Sequence, residues 1–119
     1  AILHDIGIHE AAKKYDSSAG KYQEIEGPPI AKKILEENNV SKTAIEHICK
    51  IIANHHSGKD IDTIEFRCVW DADQLVNIPE ALPGVDTEKI RQIIDSVFKT
   101  DTGRKIAVET LLGCVKDDA

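Results

Sequence analysis

Apolar residues in this chain return at every third or fourth position. Ile45, Ile48 and Ile52 stand at i, i+3 and i+7, and Ile90, Ile93, Ile94 and Val97 repeat the spacing further on. That spacing lays one apolar stripe along a helix, whereas a half-buried strand needs strict alternation, and no stretch here alternates. The fold is therefore expected to be all-α, a single-domain bundle of about five to six helices with no internal repeat. Of the 119 residues 41% are hydrophobic, enough for one core without disulfide staples.

Punctuation residues predict the boundaries. Residues 1–7 read as the end of a helix stopped at Gly7, and Asp16 to Gly20 as a loop. Gly27-Pro28-Pro29 is expected to open a helix that ends at Asn38-Asn39, because proline suits a first turn whose amide has no partner. Ser41 is the expected cap of the next helix, which runs to His55-His56. Asp62 with Glu65 reads as a capping box, opening a helix whose apolar set is Ile64, Cys68, Val69, Ala72, Leu75 and Val76 and which Pro79 closes. Thr87 and Thr102 are the expected caps of the last two helices. The chain contains no Met and begins with Ala1-Ile2-Leu3 directly against a His-Asp pair, so a preceding first helix is expected to be missing.

Charge narrows the partners. Fifteen Lys and Arg against 21 Asp and Glu leave a net charge of −6. Basic residues gather only in pairs such as Lys13/Lys14 and Lys32/Lys33, so the positive footprint that a nucleic-acid duplex requires is absent. No apolar run approaches the roughly 20 residues of a membrane span, and the sequence holds no basic stretch followed by an apolar run as in a secretory signal, so a soluble, cytoplasmic protein is expected. Cys49, Cys68 and Cys114 are odd in number and set among apolar neighbours, which suits buried, reduced thiols better than a disulfide frame.

Periodicity leaves three polar groups unexplained: His4-Asp5, His55-His56, and Asp71 with Asp73. Imidazole and carboxylate are the ligands that borderline and hard divalent metals share, and side chains on different helices of a bundle can converge on one ion. Plainer readings stand beside this one. A single His is more often a core or surface residue, paired histidines suit the negative end of a helix, and the aspartates could line a solvated face.

Taken in order, Ile2-Leu3-His4-Asp5-Ile6-Gly7, Ile52-Ala53-Asn54-His55-His56 and Asp71-Ala72-Asp73-Gln74-Leu75 resemble the motifs of the HD superfamily of metal-dependent phosphohydrolases. The resemblance implies metal ligation by His4, Asp5 and Asp73, a contribution of His55 and His56 to a second ion, and catalytic roles for Asp5 and Asp73. It places Asp71, His9 and Glu10 behind the ligands and Asn77, Lys13 and Lys21 towards substrate, with Lys14 and Arg67 as further candidates to hold phosphate. The family's first His lies before Ala1. Where binuclear members carry another His, this chain has Gln23 and Glu24, so Glu24 or Glu26 is the candidate ligand there. Ser57-Gly58-Lys59 follows the paired histidines in place of the Gly-Tyr-Pro element of the cyclic dinucleotide branch.

The implied activity is hydrolysis of a phosphate ester or anhydride, in a nucleotide or a related small phosphorylated molecule, by metal-activated water. The implied cofactor is a divalent ion: Mn, Fe, Ni, Zn or Mg. The alternative is a catalytically degenerate domain of the same fold that senses nucleotides or binds a protein partner. Oligomeric state has no readable code.

Overall fold

The computed structural model describes residues 1–113 of the 119. Six α-helices account for most of them: α1 Ile8–Tyr15, α2 Gly20–Glu37, α3 Lys42–Asn54, α4 Ile64–Asn77, α5 Thr87–Val97 and α6 Asp101–Ala107. A 3-10 turn, Ile78–Ala81, follows α4, and a π-type turn, Val108–Leu112, continues α6. The described residues include no strand, so the all-α class is as the spacing predicts. No helix among them is long and apolar enough to cross a membrane. Internal contacts divide the chain into two units, Ala1–Asp62 and a second that starts at Thr63.

The first unit is built on small residues. Gly7 and Ala11 lie four apart, as do Gly27 and Ala31, and all four are buried. Small residues in that register let two backbones approach closely. The start of the chain is a run of tight turns, with His4 N bonded to Ala1 O, Ile6 N to Leu3 O and Ile8 N to Asp5 O. Gly7 therefore begins a helix instead of stopping one, with φ −81° and ψ −9°. What demands glycine there is contact: a Cβ on Gly7 would sit 2.6 Å from Gln23 O and 2.7 Å from Gly27 N. A Cβ on Gly27 would in turn sit 2.7 Å from Cγ2 of Ile52 on α3.

Helix α2 begins at Gly20 and carries Pro28 and Pro29 in its interior, so the expected start at Gly27 is corrected. The helix forgoes two amide bonds at the prolines. Gly27 has no Cβ to collide with the Pro28 ring, and α2 packs against both α1 and α3. It ends at Asn38, with Asn39 at φ 59°. Ser41 caps α3 as predicted, its Oγ accepting from Ala44 N at 3.3 Å. Ile45, Ile51 and Ile52 of α3 are buried.

In the second unit Ile90, Ile94, Phe98, Ala107, Leu111 and Leu112 form the core, with Leu75, Ile78 and Val97 among those packed on it. Each fully buried Ile contributes roughly 1.5–3 kcal/mol. Three caps differ from expectation. Thr63 rather than Asp62 caps α4, Asp86 rather than Thr87 caps α5, and Thr100 rather than Thr102 caps α6. In each case neighbouring residues offer equivalent oxygens, and the path of the chain decides which one meets the orphan amide.

Four of the six apolar residues expected to bury α4 face outward, while Val69 and Leu75 are half-buried. Ile64 is 60% and Val76 74% exposed, and Cys68 and Ala72 are exposed too. The buried residues are Phe66 and Asp71, with Trp70 donating from Nε1 to Val97 O at 3.0 Å. Two large aromatics one turn apart outweigh a thin aliphatic stripe. Cys68 is thus an exposed thiol, contrary to expectation, and Cys49 is half-buried. Cys114 lies outside the described residues.

Candidate metal centre

Helix α3 delivers His55 and His56 at its C-terminal end, where Gly58 N closes the chain back onto Asn54 O at 2.7 Å. His55 is the anchor, its side chain only 1% exposed. Its Nδ1 lies 2.7 Å from the carbonyl oxygen of Ile52, one turn earlier. A carbonyl can only accept, so Nδ1 carries the hydrogen and the neutral ring's lone pair sits on Nε2. His4 repeats the device, with Nδ1 2.6 Å from Ala1 O.

Both Nε2 atoms face one carboxylate. His55 Nε2 is 3.4 Å from Asp5 Oδ1, and His4 Nε2 is 3.3 Å from Asp5 Oδ2. Lone pairs of imidazole and carboxylate repel, and His55 Nε2 is buried with no hydrogen-bond partner. A buried polar atom in that condition costs free energy unless a cation, proton or metal, lies between the groups. One ligand atom each from Asp5, His55 and His56 lies within 4.8 Å of the others. Ligands about 2.0–2.3 Å from a shared ion span a comparable distance. The Asp5 side chain is 47% exposed and His56 is exposed, so the cluster opens to solvent on one side, as a catalytic site requires and a closed structural site does not.

The remaining expected residues are distributed as follows. Asp73 lies half-buried on α4 and accepts a hydrogen bond from Asn77 Nδ2 at 3.0 Å, so the Asn77 amide is engaged one turn away. Asp71, expected behind the ligands, is spent elsewhere. Its Oδ1 accepts from Lys99 N at 2.8 Å, and its Oδ2 from Thr100 N at 3.0 Å and Thr100 Oγ1 at 2.6 Å, which pins the α5–α6 connection. Lys13 and His9 are exposed on α1, and Arg67 is half-buried on α4. Lys21 places its ammonium 4.9 Å from the Tyr22 ring centroid.

Glu26, the other candidate ligand, is engaged on α1. It takes Lys14 Nζ at 2.7 Å and Tyr15 OH at 3.1 Å. The Lys14 hydrogen bond holds the Glu26 carboxyl below its usual range, and Glu26 in turn raises the pKa of Lys14 and of Tyr15. Glu10 stands 3.8 Å from the same ammonium.

Glu24, a candidate ligand in the sequence, uses Oε2 to accept from His56 N, Ser57 N and Ser57 Oγ. Gln23 Oε1 meets His56 Nε2 at 2.8 Å. Sequence reasoning missed this bracing by α2. The one available signal was the placement of Gly20, Gln23 and Glu24 on a single helical face. Compared with family models, with curated proteins and with solved structures, the chain finds no match.

Proposed function

We propose that this chain is a metal-dependent phosphohydrolase whose centre is built on His4, Asp5, His55 and His56. The observation that carries the reading is the buried, unpartnered Nε2 of His55 facing the carboxylate of Asp5. The motif Ala72-Asp73-Gln74-Leu75 adds Asp73 to the ligand set by resemblance, a role that its own variant tests.

A divalent ion bound there supplies Lewis acidity towards a phosphoryl oxygen and a lowered pKa for water. The protein's share is orientation. Main-chain carbonyls of Ala1 and Ile52 hold each imidazole with Nε2 presented, the outer-shell arrangement that fixes tautomer and ring direction in metal sites. Asp5, open to solvent, is the carboxylate placed to align a water or accept its proton. A mixed nitrogen and oxygen donor set suits Mn, Fe, Ni or Zn, and Mg less well. The proposed substrates are phosphate esters or anhydrides, nucleotides among them. Their negative charge must be offset by the ion, because the chain itself carries −6.

The test pairs metal analysis with turnover. Purified protein is loaded with Mn²⁺, assayed for bound metal, and offered nucleoside mono-, di- and triphosphates and an aryl phosphodiester. Metal retention with Mn²⁺-dependent hydrolysis is expected. His4→Ala, His55→Ala and Asp73→Ala should each lose metal while keeping the helical circular dichroism. Wild-type protein that takes up none of Mn, Fe, Ni, Zn or Mg overturns the reading. Metal retained without turnover would point instead to a sensing or interaction module.

A further inference from the structure

His56 is exposed while His55 is buried, yet three residues on one face of α2 grip it. Gly20 brings bare main chain beneath the ring, since a Cβ there would lie 2.8 Å from both Cβ and Cγ of His56. Gln23 is buried, and its Nε2 donates to Ser18 O at 2.6 Å. That bond turns the other end of the amide, Oε1, towards His56 Nε2 at 2.8 Å. An amide oxygen accepts only, so His56 Nε2 carries the hydrogen, and the lone pair of the neutral ring is on Nδ1. His55 has the opposite tautomer, its Nδ1 donating to Ile52 O. Glu24 completes the grip through the amides of His56 at 3.2 Å and Ser57 at 3.0 Å.

Ordering an exposed side chain costs conformational entropy and returns little stability. A ring braced on its face, its edge and its main chain is preorganised to bind something. We infer that Gln23 and Glu24 are positioning residues for His56: Gln23 fixes the Nε2–H tautomer, and Glu24 fixes the His56–Ser57 main chain so that the ring stays beside His55. The two ring centroids are 3.9 Å apart. The consequence for metal affinity rests on the metal-centre reading above, whereas the tautomer and the grip do not.

Two measurements on the whole chain separate these layers. Nitrogen-15 NMR of the histidine rings in metal-free protein should show His56 as the Nε2–H tautomer in the wild type and as a mixture in Gln23→Ala. A wild-type His56 in the Nδ1–H form, or identical populations in the two proteins, overturns the inference. With Co²⁺ as the probe, Glu24→Ala should weaken binding roughly 10- to 100-fold and shift the visible d–d bands. Glu24→Gln, which keeps an acceptor oxygen, should recover most of both. Wild-type affinity and bands in Glu24→Ala overturn the role of Glu24. A wild type with the expected tautomer that takes up no Co²⁺ supports the positioning of His56 and sinks the metal centre alone.

Discussion

Asp5 and Asp71 are the same side chain in opposite surroundings. Asp71 is 6% exposed and ringed by donors: two amides and a hydroxyl from Lys99 and Thr100. Asp5 is half exposed and faces acceptors, the Nε2 atoms of His4 and His55, each presented by a carbonyl bond on the other side of its ring. A carboxylate surrounded by donors is complete and serves the fold. One surrounded by lone pairs is incomplete until a cation arrives. The contrast separates an aspartate satisfied by donors from one proposed to ligate, without reference to any motif.

The sharpest way to break the contrast is to make the same change at both. Asp71→Asn replaces one acceptor oxygen with an NH₂ group turned towards donors and should cost about 3 kcal/mol in urea unfolding, leaving metal uptake by the folded protein unaltered. Asp5→Asn should act with the opposite sign. In chelator, its NH₂ can donate to a histidine lone pair and should stabilise the metal-free protein by about 1 kcal/mol, while metal retention is lost. Destabilisation of metal-free protein by both substitutions would show that the histidines carry protons against Asp5 and would remove the contrast.

A third carboxylate sharpens it from outside. Glu26 pairs with Lys14 and has a lowered pKa, so its contribution is present above its usual 4.5 and lost as pH falls through the folded value. Glu26→Gln should flatten the acid limb of stability below pH 4.5 and leave Mn²⁺-dependent activity at neutral pH unchanged. The smallest effect is expected at Cys68. Because the thiol is exposed, Cys68→Ser should stay within about 0.5 kcal/mol of the wild type. A loss of several kcal/mol would mean that a partner covers that face of α4.

The sequence made some of this legible and hid the rest for physical reasons. Helical class follows from spacing, and Ser41 stood alone as a cap, so both were readable. At α4, α5 and α6 several neighbouring oxygens qualified as caps, and only tertiary geometry chose among them. The outward turn of Ile64, Ala72 and Val76 was unreadable because Phe66 and Trp70 compete for the same core, and a stripe count weighs all apolar residues alike. Asp71 was expected behind the ligands because its true donors lie 28 and 29 positions away. The pairing of His4 and His55 on Asp5 was visible only as motif order. Its chemistry, tautomer by tautomer, needed the carbonyls of Ala1 and Ile52.

The glycines at 7 and 27 have a further meaning for this centre. Main chain rests on main chain from the Asp5 segment to α2, and α2 rests on Ile52, whose carbonyl steers His55. The gap between carboxylate and imidazole is thus gauged by two backbones in contact and the Ile52 side chain beneath them, like shims in a vice. Adding one methyl group at 7 or 27 would widen the jaws without touching a jaw face, so the spacing of Asp5 and His55 is set from positions that touch neither side chain.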